Sequence, residues 1–289
     1  CLTDYSDIFA GEQDYLWGLL YRMTGSRADA DDLLMDTFER AMTKPPADTS
    51  RPWRPWLTRV ATNLARDTLR TRRRRTYVGP WLPAVAETAN LPPPATPEAR
   101  YSARESASYA FLKALEVLTP NQRAVLVLRD VFDYSTAETA ELMELSESNT
   151  KVTLHRARKA MAEYDDARPS LEPDEVQEAL ARLMAALLAG DAEATARLLS
   201  EDVVAISDAG GEYKAALRPV SGADRVARFL IGLSKTSTVV AMDYVMRNGL
   251  PALRTRVDST KPGVAERVLM RIDVRDGLVS AVDVVIAQA

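Results

Sequence analysis

The sequence predicts a multidomain chain: two all-helical domains followed by one α+β domain. Three observations predict this. Through about residue 160, apolar residues recur at helical spacing between turn and cap signals. Beyond about residue 200 the chain divides into short β-type runs, two of them joined by Asn248-Gly249 and Asp276-Gly277, the strongest short hairpin signals. Polar, proline-bearing stretches separate the parts, and 289 residues leave room for two or three domains of ordinary size.

The elements follow in order. Residues 4–42 read as helices: Leu16, Leu19 and Leu20 form one apolar stripe, and Leu33, Leu34, Thr37, Phe38 and Ala41 a second. "TGSRADADD" between them supplies a turn and an aspartate-rich N-terminus that suits a helix dipole. A proline-rich loop, Lys44 to Pro55, leads to a helix through Arg70 whose apolar face is Trp56, Val60, Ala61 and Leu64. Trp56 is expected in the core; Trp53 is open between the core and stacking on unpaired bases. Residues 77–100 hold prolines without sustained periodicity and form a linker. Helices resume over 101–118 and again from Pro120 to 131. After a second linker, "EYDDARPSLEPDE", an amphipathic helix carries Leu180, Leu183, Met184, Leu187 and Leu188, and a shorter helix covers 191–199. An antiparallel sheet is then expected from "DVVAIS", "TVVAMDYVM", "ALRTRVDS", "VAERVLMRIDV" and "LVSAVDVVIA". The domain boundaries are accordingly 1–76, 77–100 as linker, 101–164 and 165–289.

Composition excludes several classes. No apolar run is long enough to span a membrane, and no signal peptide is visible. The start at Cys1 reads as a trimmed end rather than an acylated cysteine. A single cysteine precludes an internal disulfide and suits the cytoplasm; with one histidine, it leaves no basis for a His/Cys zinc site, so neither metal nor cofactor is expected.

Net charge is −4, but the charge is segregated. Residues 1–50 carry 10 acidic and 4 basic side chains, whereas residues 51–75 hold nine arginines against Asp67 alone. A solvated helix face mixes its signs; nine arginines so close together point to a polyanion, because binding phosphates releases counterions.

Residues 134–161, "YSTAETAELMELSESNTKVTLHRARKAM", read as a helix-turn-helix. A short helix over 136–143 exposes Glu138 and Glu141 and buries Ala140 and Leu142, and Ser146 caps a second helix. That helix bears Lys151, His155, Arg156, Arg158 and Lys159, with Ser148, Asn149 and Thr153 near its start to reach base edges or phosphates. His155 reads as a groove or packing residue rather than a general base.

Three motifs in this order, "ADADDLLMDTFERAM", "WRPWLTRVATNLARDTLRTRRRR" and "LTPNQRAVLVLRDVFDYSTAETAELMELSESNTKVTLHRARKAM", resemble the bacterial sigma-70 family, and more narrowly its extracytoplasmic-function (ECF) group, which keeps only regions 2 and 4. The resemblance implies an alternative sigma factor, monomeric when free, that binds core RNA polymerase (the β′ clamp helices and the β subunit) and promoter DNA. It assigns polymerase binding to Asp31, Asp32, Asp36 and Glu39, the −10 element to Asn63, Arg66, Asp67 and Arg70, and the −35 element to Ser148, Asn149, Lys151, His155 and Arg156. Glu144 departs from the pattern by occupying a turn position where the family usually has glycine.

The C-terminal part resembles the SnoaL-like cone-shaped α+β barrel of polyketide cyclases and ketosteroid isomerases, which a subgroup of sigma factors carries. "YVGPWLP" and "DAGGEYKAALRPVSG" resemble that subgroup's linker and loop motifs, though Ala209 replaces a glycine and Glu212-Tyr213 precedes the lysine. Tyr77, Trp81 and Leu82, with Asp208, Gly210 and Gly211, are the expected docking residues between linker and domain, the prolines limiting the entropy lost on docking.

Two other functions compete. An isomerase or cyclase needs a pocket carboxylate with a shifted pKa, for which Asp202, Asp208, Asp243, Asp273 and Tyr244 are candidates but no histidine is available. An activator that used only the helix-turn-helix would leave the acidic and arginine-rich first 75 residues unexplained.

Overall fold

The structure, a computed structural model, describes residues 5–74, 82–83, 100–209, 213, 216, 218–235, 238–258 and 265–286, apart from the side chains of residues 73, 74, 103 and 104. It divides into two compact units, 1–75 with 88–166 and 76–87 with 167–289.

The first unit opens with α1 (Tyr5–Thr24), α2 (Arg27–Thr43) and α3 (Arg54–Arg74). Gly25 ends α1 at positive φ, and the Ser26 hydroxyl then caps α2 by accepting the Asp29 N–H at 3.2 Å. Leu16, Leu19, Leu20 and Met23 of α1 are fully buried, and Leu33, Leu34, Phe38 and Ala41 of α2 are buried with them. Each such leucine contributes about 1.5–3 kcal/mol by leaving water. On α3 the inward face is Leu57, Ala61, Leu64, Ala65 and Leu69, rotated from the expected one: Trp56 and Val60 are only half-buried. Trp53 is the buried indole, wedged edge-on between Tyr5 (5.9 Å) and Trp56 (6.0 Å). It precedes the first residue of α3, so the helix period does not set the direction of its ring.

The expected helix over 101–118 is broken into α4 (Ala103–Ser106), α5 (Tyr109–Ala114) and a 3₁₀ turn, Leu115–Val117. Ser102 and Ser108 each cap a new start, and a serine that bonds the backbone locally competes with helix continuation. Thr119 and Gln122 form a reciprocal capping box around Pro120 at the head of α6 (Pro120–Leu126), which runs into a π turn, Val127–Val131. The helix-turn-helix follows as α7 (Thr136–Met143) and α8 (Glu147–Ala160), with α9 (Ala162–Asp166) after it. Ser135 and Glu138 box the start of α7, and Ser146 caps α8.

The two halves of this unit are packed together. The buried Arg123 guanidinium donates to the Met23 carbonyl at 3.1 Å and to the Leu115 carbonyl at 2.7 Å. The Tyr15 and Tyr134 hydroxyls meet at 2.6 Å, and burial pushes the Tyr15 phenol well above its ordinary range.

The second unit begins with α10 (Pro173–Ala189), started by Pro173 and stopped by Gly190 at positive φ, then α11 (Ala192–Arg197). Six strands follow: β1 (Leu199–Asp208), β2 (Val220–Ser221), β3 (Thr238–Arg247), β4 (Leu250–Asp258), β5 (Arg267–Arg275) and β6 (Leu278–Ile286), in the order β2-β1-β6-β5-β4-β3. Both expected hairpins form, with Asn248, Gly249, Asp276 and Gly277 all at positive φ as a type I′ turn requires. Irregularities in register between Leu199 and Val204, Val239 and Ala241, and Asp273 and Val274 add to the curl of the sheet.

Two expectations are corrected. The sheet is mixed rather than antiparallel, because β1 pairs parallel with β6. The helices do not all precede it: α12 (Ala223–Ser234) lies between β2 and β3 and allows the chain to cross from one sheet edge to the other. The core is formed by α10 (Val176, Leu180, Leu183, Leu187) and α12 (Val226, Leu230, Ile231) with one sheet face, including Val203, Leu253, Ile272 and Val282.

Candidate nucleic-acid interface

Three helix faces and one linker contact carry the assigned residues. On α2, Asp31, Asp32, Asp36 and Glu39 are all exposed, because the buried positions 33, 34, 37, 38 and 41 claim the opposite face. Asp31 is partly engaged: Trp17 Nε1 donates to it at 2.6 Å, and Arg27 lies 3.7 Å away. Exposed Met35 and Met42 interrupt the acidic face and line a groove of about 330 Å³ with Tyr5, Ile8, Phe9 and Phe38. The face thus combines negative charge with exposed apolar side chains. Sequence reasoning missed the methionines, since an exposed apolar residue has no periodic signature of its own.

On α3, Asn63, Arg66, Asp67 and Arg70 fall at i, i+3, i+4 and i+7 and form one stripe. They bond to one another: Arg66 Nη1 donates to Asn63 Oδ1 at 2.9 Å and Arg70 Nη1 to Asp67 Oδ1 at 2.6 Å. Desolvation, reinforced by Arg70, lowers the Arg66 pKa from its ordinary value. The arginine run that ends this helix is not uniform. Arg72 turns back to pair with Asp29 and to donate to the Thr24 carbonyl at 2.8 Å, which ties α3 to the α1–α2 turn.

On α8, Ser148, Asn149, Lys151, His155 and Arg156 are exposed, while Thr150, Leu154 and Ala157 face inward. Arg158, grouped by sequence with the basic residues of this helix, is instead directed inward, where it makes a bidentate pair with buried Asp130 at 2.9 and 2.6 Å. Glu144, between the two helices, holds the left-handed conformation with φ +55°. A side chain there costs roughly 1–2 kcal/mol relative to glycine.

In the second unit the buried Leu82 N–H donates to Asp208 Oδ2 at 2.9 Å, and Pro83 is buried beside it. Tyr77, Trp81, Gly210 and Gly211 lie outside the described residues. Asp202, bonded to Ser200 and Arg275, and Asp243, bonded to Arg254, are held below the usual carboxylate range. Asp273 is buried near Arg271. Among the described residues no cluster of His, Cys, Asp and Glu suits a metal, and no helix is long and apolar enough to cross a membrane.

Residues 8–75 match the family model Sigma-70 region 2, and residues 108–161 match Sigma-70, region 4. The ECF RNA polymerase sigma factor SigJ of Mycobacterium tuberculosis is 38% identical over 231 residues, covering 78% of this chain and 72% of SigJ. The chain belongs to the ECF sigma factors. The probable ECF sigma factor SigI of the same species is 28% identical over 255 residues, 86% of this chain and 83% of SigI. The crystal structure of SigJ superposes with a TM-score of 0.72 at 29% identity, covering 97% of this chain and 96% of that one. The sigma factor thus has region 2 on α1–α3, region 4 on α5–α8, and a C-terminal α+β domain that the SigJ structure also covers.

Proposed function

We propose that this sigma factor docks on core RNA polymerase through the exposed acid-and-methionine face of α2, meets the −10 element through α3 and reads the −35 element through α8. The observation that carries the reading is the separation of sign by face. Asp32, Asp36 and Glu39 lie exposed on α2, while Lys151, His155 and Arg156 lie exposed on α8. An acidic surface repels DNA and suits a basic protein surface, here the polymerase β′ clamp helices, with the β subunit as a second contact. The exposed basic helix suits the major groove. Such work takes place in the cytoplasm.

The C-terminal domain, in this reading, is a regulator in cis and not an enzyme. Supporting this, Asp202 and Asp243 are shifted opposite to the direction a general acid needs. The linker that joins region 2 to region 4 is anchored to this domain at Leu82–Pro83 by Asp208. An anchored linker has less free length, which restricts how far regions 2 and 4 separate to span two promoter elements. Tyr77, Trp81, Gly210 and Gly211 are proposed to complete the anchor.

The test adds the purified full chain to core RNA polymerase and measures run-off transcription from a library of promoters. Initiation confined to a sequence class is expected. Initiation no different from core enzyme alone would refute the reading.

A further inference from the structure

Regions 2 and 4 are joined at the very residues assigned to the −10 element. Asn121, the second residue of α6, accepts at Oδ1 from Arg66 Nε at 3.0 Å and from Arg70 Nη2 at 3.4 Å. Glu144 Oε1 accepts from Arg59 Nη2 at 2.6 Å. Arg59, Arg66 and Arg70 are spaced by seven and four residues, so they share the face of α3 that carries Asn63.

Glu144 is informative because its backbone does not favour it. At φ +55° glycine would sit without strain, yet the chain places there a carboxylate that points at α3. Its oxygen offers Arg59 what a phosphate oxygen would, and the Asn121 carbonyl offers Arg66 and Arg70 what a base carbonyl would. We propose, on the reading that α3 contacts promoter DNA, that Glu144 and Asn121 form a latch in which region 4 occupies the arginines of α3 until DNA takes its place.

The physical setting makes the latch reversible. Arg59 and Glu144 are 49% and 62% exposed, so their pair is weak and screened by salt, and a polyanion competes with it directly. The buried contacts of Arg123 and the half-buried one of Tyr15 hold the halves in register. The latch at the rim decides whether the α3 face is occupied.

The experiment uses the full chain with the E144G/N121A pair of substitutions. Glycine suits the turn conformation, so the helix-turn-helix keeps its shape while the carboxylate is lost. Modification of individual arginines by phenylglyoxal is followed by mass spectrometry, with Arg197 as internal reference. Affinity for a single-stranded DNA of about 20 nucleotides is measured at low salt. Arg59, Arg66 and Arg70 are expected to react about threefold faster or more, and the DNA to bind tighter by a similar factor. E144K alone is expected to speed modification of Arg59, Arg66 and Arg70, and the charge swap R59E/E144K to return Arg66 and Arg70 to slow modification, which local damage would not do. Unchanged modification rates in the E144G/N121A chain overturn the latch. Faster modification with unchanged DNA affinity overturns instead the assignment of α3 to DNA.

Discussion

Arg158 of α8, half-exposed, closes on Asp130 with both guanidinium bonds under 3 Å, apart from its more exposed basic neighbours. Asp130 is buried, and the pair ties α8 to the π turn that precedes the helix-turn-helix, so Arg158 holds the orientation of α8. Asp130→Ala is expected to destabilise the protein by about 2 kcal/mol, below the 3–5 of a fully buried pair because Arg158 is 41% exposed and can be solvated. Denaturant unfolding measures this, and a loss under about 0.5 kcal/mol would contradict it.

Arg156, two residues earlier, is exposed on the outer face of the same helix. Arg156→Ala should cost about 1–3 kcal/mol in promoter affinity and relax selectivity at one base pair of the −35 element. A uniform loss across sequences, with a shallower salt slope, would make Arg156 a phosphate contact instead.

Charge reversal of Asp32 and Asp36 together is expected to weaken binding to core polymerase by about tenfold or more while circular dichroism stays native, since both side chains are exposed and carry no core packing. Undiminished affinity would remove the acidic face of α2 from the polymerase interface.

Asp208→Ala leaves the buried Leu82 N–H without its acceptor, a local cost of about 1–3 kcal/mol. Faster exchange of the Leu82 amide is expected, with a smaller effect for Asp208→Asn, which keeps a carbonyl in place. Equal exchange in all three proteins would show that Asp208 does not hold the linker.

The α7 capping box is pH-sensitive in a defined direction. Bonds from Ser135 hold the Glu138 pKa below its ordinary value, so the stability it lends is complete above the unfolded-state pKa, about 4.3, and fades as pH falls through the lower folded value. Fraying of α7 should therefore begin below about pH 4.3. Glu138→Gln, which can still form the box, should remove that dependence. Exchange of the α7 amides across this range, identical in both proteins, would count against the assignment.

Much of this protein was legible in the sequence because the signals are local. The cap at Ser146, the Asn248-Gly249 and Asp276-Gly277 turns and the outward acids of α2 all follow from spacings within a few residues. A helix or a type I′ turn forms on nearest-neighbour sterics and hydrogen bonds, so residue order suffices to specify it. The helix α12 was equally readable from Val226, Leu230 and Leu233 but was obscured by the β-type runs on either side.

Tertiary structure decided what depends on residues far apart in the chain. Which indole is buried, Trp53 or Trp56, depends on where Tyr5 lies, and the inward turn of Arg158 depends on Asp130, 28 residues earlier. The parallel pairing of β1 with β6 depends on a crossover that no local pattern encodes. So does the meeting of Glu144 with Arg59, 85 residues apart. Composition fixes which side chains seek burial or a counter-charge. Only the folded chain supplies the neighbour, because burial and pairing are properties of a shared space rather than of a position in the sequence.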